Sequence, residues 1–294
     1  MRIKPIQGFK VLLVLYNQCA LTHQRDANRA IAGMTRRLGA NIQYSSFLEG
    51  LLIYAFDEFL LFYSSHTSLR RRKGFPIYSW SGWIGHLDFS PTDKPFTKKH
   101  ALELPLDHGW LENCHWIIWY RATASGSKRL APGRNCDRVI SRRPFGFFCP
   151  NLPLPTYRTE PSERGREVDA RFKDYAVLQF WNLSTFFRLT DIDVLRGLAS
   201  LGTRGGWSCG ELFMDGYDEE AFFVDQTVFE VILLCTVNEG YNIHQAVCKS
   251  LLFFVMCIET RDGISERRGI GWLNSQALND SLEPGLAWEE IDLA

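Results

Sequence analysis

The segment Gly74-Phe75-Pro76-Ile77-Tyr78-Ser79-Trp80-Ser81-Gly82-Trp83-Ile84-Gly85 constrains this chain most, because it concentrates four large aromatic side chains in one short stretch. Rings of that size dominate whatever core they enter, and tryptophan and tyrosine also need partners for their N–H and O–H groups when buried. Tyr78, Trp80 and, beyond Gly82, Ile84 alternate as one face of a strand. Pro76 fixes the entry, and Gly82 and Gly85 permit a bend or bulge. The pattern predicts a heavily packed strand over 78–89 in preference to a ligand cage.

The character of the chain changes near residue 70. Before that point the periodicity is helical. Asp26 is placed to cap a helix whose apolar face is Ala27, Ala30, Ile31, Met34 and Leu38, with Gly39 at its end. Phe47, Leu48, Leu51, Leu52, Ala55, Phe59 and Phe62 recur at intervals of three and four, predicting a second helix with Glu49, Asp57 and Glu58 toward its polar side. The run Val11 to Tyr16 is too short, and is interrupted too early by Asn17 and Gln18, to be a signal peptide; it reads as part of a packing helix.

Beyond Gly74, strands are predicted around 78–89, 115–122, 176–182, 209–215, 228–237, 251–260, 264–273 and 286–293. Many short strands without long intervening helices imply an antiparallel sheet or partly closed barrel. The expected fold class is therefore α+β, with a helical region over 1–69 and an antiparallel β-rich domain over 70–294. Residues 123–170 hold six prolines and many arginines and read as a long, partly disordered excursion.

The 294 residues are 46% hydrophobic and 22% charged, enough for a sizeable core. Thirty-three basic residues against 33 acidic ones leave no net field to attract nucleic acid or an anionic membrane surface. The eight cysteines show no Cys-x-x-Cys pair, which suits buried thiols in a reducing compartment and a cytoplasmic location. Cys114-His115 and His244 with Cys248 lack further ligands at a zinc-like spacing. No window approaches the ~20 apolar residues of a membrane span. The sequons at Asn182 and Asn279 would matter only in a secreted protein.

Four constellations bear on chemistry. Asp215, Asp218, Glu219, Glu220 and Asp225 could pair carboxylates, but their place between two strand candidates reads as a solvated hairpin loop. Gly202-Thr203-Arg204-Gly205-Gly206-Trp207 lacks the Gly-Lys-Ser/Thr ending of a P-loop and reads as a turn. Ser81 lacks the preceding glycine of a nucleophile elbow. The basic runs Arg70 to Lys73 and Arg142-Arg143, with Arg134, Arg138 and nearby Phe75, Phe145, Phe147 and Phe148, read as solvated linkers or a protein-docking patch rather than a nucleic-acid surface.

The aromatic segment resembles the Phe-Pro-Ser-Trp-Ser-Trp-Ala-Gly-Trp motif of fungal heterokaryon-incompatibility (HET) domain proteins, which lies downstream of their named domain; here Ile77-Tyr78 stands where Ser-Trp is usual. Leu21-Thr22 and Asp26-Ala27-Asn28-Arg29-Ala30-Ile31-Ala32-Gly33, Trp116 to Arg121, Leu178 to Leu189, Glu266 to Gly271 and Pro284 to Ile291 are similar to further elements of that region, in the same order. The upstream domain's own motifs do not occur in this sequence. The resemblance therefore implies a C-terminal region standing without the HET effector domain, as a stand-alone regulator, a fragment or a nonfunctional truncated paralogue.

What the resemblance implies about function is a non-enzymatic interaction or regulatory role linked to nonself recognition and programmed cell death. Its partners would be proteins, including a full-length HET-type relative, with no nucleic acid and no membrane span. No catalytic, cofactor-binding or metal-binding residue is assigned and no cofactor is expected. The alternative is a hydrolase or nucleotide-processing enzyme with a pocket in the β region, for which no nucleophile, base and orienting group assemble in the sequence. Trp80, Trp83, Trp116, Trp119, Trp181 and Trp288 are expected in the core.

Overall fold

The structure, a computed structural model, describes residues 4–42, 45–64, 69–89, 117–130, 159–216, 226–236 and 252–294. N-terminal helices precede a mostly antiparallel β region, as the helical and alternating patterns predict. The main sheet has nine strands: β5 (Tyr120–Thr123), β6 (Gly126–Arg129), β7 (Leu178–Asp193), β8 (Leu198–Gly202), β9 (Ser208–Met214), β10 (Val228–Thr236), β11 (Leu252–Arg261), β12 (Ile264–Asn274) and β13 (Leu282–Leu293).

Strand β7 organises this sheet. At 16 residues it runs well past the expected end at 182, and it pairs with β5 at Leu178 and Gln179, with β13 between Leu178 and Phe186, with β10 between Ser184 and Arg188 and with β8 between Arg188 and Asp193. The pairings β7–β10–β11–β12–β9–β8–β7 return to their start, so the sheet is partly ringed. Side chains alternate across a strand, so register fixes which residues share the inner face. Leu189 stands opposite Leu201, Leu201 opposite Gly210, Gly210 opposite Leu273, and Leu273 opposite Phe253. The large members of this series are buried.

Glycine enters the series where β9 meets β12. A Cβ on Gly271 would lie 2.0 Å from the Glu211 carbonyl oxygen, and one on Gly210 would lie 2.1 Å from that of Trp272. Nonbonded carbon and oxygen cannot approach so closely, so the two strands meet there only because neither position carries a side chain. Curling a sheet toward closure needs such side-chain-free positions.

The N-terminal layer differs in detail from its sequence pattern. Helix α1 (Lys4–Asn17) is a packing helix. The helix expected from Asp26 is split at Ile31 into α2 (Ala27–Ala30) and α3 (Ala32–Asn41), Asp26 makes no side-chain cap, and Ala30 and Met34 face outward. Gly39 does not end the helix. It lies inside α3, where a Cβ would meet the Ser45 carbonyl oxygen at 2.3 Å.

The second expected helix is instead a hairpin, β1 (Phe47–Leu48) and β2 (Leu51–Leu52), then a 3₁₀ turn and the short α4 (Phe56–Leu60). Glu49 and Gly50, between the strands, both have positive φ, the signature of a type I′ turn. The strand expected over 78–89 is also replaced. Trp80–Gly82 form a 3₁₀ turn, and only Trp83–Ile84 (β4) are extended, pairing with Arg70–Arg71 (β3). Of the excursion over 123–170, residues 123–129 lie in the β5–β6 hairpin and Gly165–Arg171 form α5; residues 131–158 lie outside the described residues. One apolar core runs from Ile6 in α1 to Leu293 in β13.

Arg267 on β12 joins the two layers. Its Nε donates to Asp215 Oδ2 at 2.6 Å and its Nη2 to Oδ1 at 3.2 Å. Its remaining donors reach the carbonyl oxygens of Leu60 and Phe62, and its guanidinium lies 3.7 Å from the centre of the Phe62 ring.

Candidate functional site

The aromatic segment is the natural place to look for a site, and its local chemistry is readable atom by atom. The Ser79 hydroxyl accepts from the Ser81 N–H at 3.1 Å, capping the 3₁₀ turn. The Ser79 and Ser81 hydroxyls both donate to the Glu49 carbonyl oxygen. Trp80 Nε1 donates to the Gly50 carbonyl at 3.0 Å, and Trp83 Nε1 to that of Ile77 at 2.8 Å. The Tyr78 hydroxyl donates to the Ala176 carbonyl at 2.7 Å. Gly50 is required on two counts: its φ is +85°, and a Cβ there would lie 2.9 Å from the Trp80 ring.

The preceding arginines complete this knot. Arg71 donates to the carbonyls of Arg72, Phe75 and Gly82. Arg72 is buried and reaches Gln24 Oε1, the Ser81 carbonyl and Asn17 Oδ1. A run expected to be a solvated linker or a protein-docking patch is thus half structural, with only Arg70 and Lys73 of the four exposed. Burial pushes the Tyr78 hydroxyl well up and also raises the Glu49 carboxyl, against the pull of the Ala176 N–H and Arg121. Glu49 Oε1 accepts that N–H at 3.0 Å. Chemically the arrangement is a latch of main-chain hydrogen bonds around buried rings, and Ser81 is inaccessible within it.

The other sequence candidates are placed as follows. Asp215 is not in a solvated loop; it is buried against Arg267, where burial raises its carboxyl and the guanidinium works against that rise. Asp218, Glu219, Glu220 and Asp225 lie outside the described residues, as do Arg134, Arg138, Arg142, Arg143, Phe145, Phe147, Phe148, Trp116, Cys114, His115, His244 and Cys248. Residues 202–207 form a turn gathered by Asp280, whose Oδ2 accepts from Gly205 N and from Trp207 Nε1. Asn182 is buried and donates to the Leu233 carbonyl. Trp80, Trp83 and Trp119 are core residues, whereas Trp181 and Trp288 are only half-buried.

The feature that sequence reasoning missed lies on α1. Ile6, Phe9 and Leu13 point into the core, yet so does Lys10, whose ammonium pairs with the buried Glu58 carboxylate and lies 5.7 Å from the ring centres of Phe59 and Phe89. Burial lowers the Lys10 pKa, with Glu58 opposing. The outward side carries Val11, Leu12 and Leu15, exposed by 60%, 45% and 58%, and Met34 of α3 is also exposed. An amphipathic surface helix ordinarily keeps its charge outside and its leucines inside. Here part of that polarity is reversed, and the signal was available in the spacing of Val11, Leu12 and Leu15 at one helical turn.

Among the described residues no three His, Cys, Asp or Glu side chains are grouped to hold a metal ion, and no helix is long and apolar enough to cross a membrane. No family model, curated protein or solved structure matches the chain.

Proposed function

We propose that this chain is a non-enzymatic interaction or regulatory module of the HET type, acting by protein contact in nonself recognition and programmed cell death. The family reading rests on the ordered motifs from Leu21 to Ile291. The observation that carries the contact mechanism is the outward apolar stripe of α1, since adjacent large apolar side chains on a helix that buries a lysine are better explained by a partner than by solvent. The partner is a complete relative bearing the upstream domain, its apolar surface covering Val11, Leu12 and Leu15. The hydrolytic alternative has one observation in its favour, the raised Glu49 carboxyl, but that group is engaged by the Ala176 N–H.

The test is co-elution of the purified chain with a full-length HET-type protein, measured by size exclusion with light scattering. A complex that forms with the wild type and is lost in a folded Leu12→Glu/Leu15→Glu variant supports the reading. No complex, or equal binding by the variant, overturns it.

A further inference from the structure

Residues 159–171 meet the sheet through a set of polar contacts. Trp181 Nε1 donates to the Glu160 carbonyl at 3.0 Å, and the Ser162 N–H donates to Glu290 Oε1 at 2.6 Å. Arg164 Nη2 lies 3.4 Å from Glu290 Oε2 and 3.7 Å from Asp292 Oδ2, while its Nε donates to Ser162 Oγ. The two carboxylates are almost fully buried, but Arg164 is 49% exposed. Behind them, Asp292 Oδ1 accepts from Gln179 Nε2 at 2.8 Å, and Gln179 Oε1 in turn accepts from the Ser127 hydroxyl.

A second observation is independent of these charges. Val168, the buried apolar side chain of α5, does not join the main core. It packs in a small separate cluster with Ala122, Val177, Ile264 and Ala294. Segments with few buried apolar contacts and solvent-reachable polar attachments open at lower free energy than the fold as a whole.

We infer that residues 159–171 are a strap that opens from the sheet as one unit, with Arg164 as its catch, while the ringed strands stay folded. Opening uncovers Glu290, Asp292 and the face of Trp181. It leaves Gln179 to hold Asp292 from behind, so the strand beneath keeps its hydrogen-bonded support.

Hydrogen exchange followed by mass spectrometry on the full chain decides this. In the wild type, amides of 160–171 exchange faster than those of β11 and β12. Arg164→Ala accelerates the strap by about fivefold, the upper range for a partly exposed ion pair, and leaves β11 and β12 within twofold; Arg164→Lys falls between. Raising the salt from 0.15 to 1 M accelerates the same wild-type amides by shortening the screening length. Strap amides that exchange only together with β11 and β12, or that ignore both Arg164→Ala and salt, overturn the inference.

Discussion

Arg267 and Arg164 each join a segment outside the main sheet to it, Arg267 by donating to the carbonyls of Leu60 and Phe62 while paired with Asp215, and Arg164 by meeting the carboxylates of Glu290 and Asp292, but their surroundings differ. Arg267 is fully buried, fits Asp215 with two hydrogen bonds, and places its remaining donors on the carbonyls of Leu60 and Phe62. Arg164 is half in water and reaches its two carboxylates only loosely. The low dielectric around Arg267 makes its contacts strong and also makes any loss severe; solvent around Arg164 weakens both. One seam is permanent and the other is releasable.

The sharpest way to break that comparison is to delete each guanidinium in turn. Arg267→Ala leaves the Asp215 carboxylate buried without a counter-charge and should lower unfolding free energy by about 3–5 kcal/mol. Arg164→Ala should cost at most about 1 kcal/mol. Urea unfolding of both variants measures the difference. Arg267→Met combined with Asp215→Leu should recover the part of the loss that comes from the orphaned charge, and not the part that comes from the Leu60 and Phe62 carbonyls, which lose their donors in both variants. Equal costs for the two alanine variants would mean that burial does not separate the seams.

Neither arginine clamp was legible in the sequence, because each joins residues far apart in the chain and ion pairs leave no local period. The strands were legible where alternation or continuous apolar runs marked them, from Ser208–Met214 to Leu282–Leu293. The hairpin at 47–52 and helix α4 were not. Almost every large apolar side chain from Leu48 to Tyr63 is buried, so the spacing of apolar residues carried no information about a face, and the Glu49-Gly50 turn was the better signal. Burial of the aromatic segment was correctly expected; its backbone was not, because the Ser79 and Ser81 hydroxyls that hold the turn donate to the Glu49 carbonyl, some 30 residues earlier.

A smaller effect compares one tryptophan of the aromatic knot with one of the main sheet. Trp80 is fully buried beneath the Gly50 turn, whereas Trp288 is half-buried on β13. Trp80→Ala should cost about 3–5 kcal/mol, and Trp288→Ala about 1–2 kcal/mol, in proportion to the apolar area each hides. Thermal and urea unfolding give both values. A loss below about 1 kcal/mol at Trp80 would show that the knot around it is not tightly packed.

The smallest effect concerns protons. Burial raises the carboxyls of both Glu49, in the knot, and Asp292, beneath the strap. A folded-state pKa above the unfolded one means that the folded chain binds more protons between the two values, so stability falls as pH rises through that window. For Glu49 the window opens near the ordinary glutamate value of about 4.3 and runs upward. Glu49→Gln keeps an acceptor for the Ala176 N–H and removes the charge, so its stability relative to wild type should increase from pH 4 and level off above the raised pKa. Asp292→Asn likewise keeps an acceptor for Gln179. Because opening of the strap returns the Asp292 carboxylate to water, wild-type strap amides of 160–171, corrected for intrinsic exchange, should lose protection relative to Asp292→Asn as pH rises, while those of β11 and β12 do not follow. Strap amides whose pH dependence tracks that of β11 and β12 would place Asp292 in a seam that opens only with the whole fold, and would remove the distinction between the buried knot and the strap.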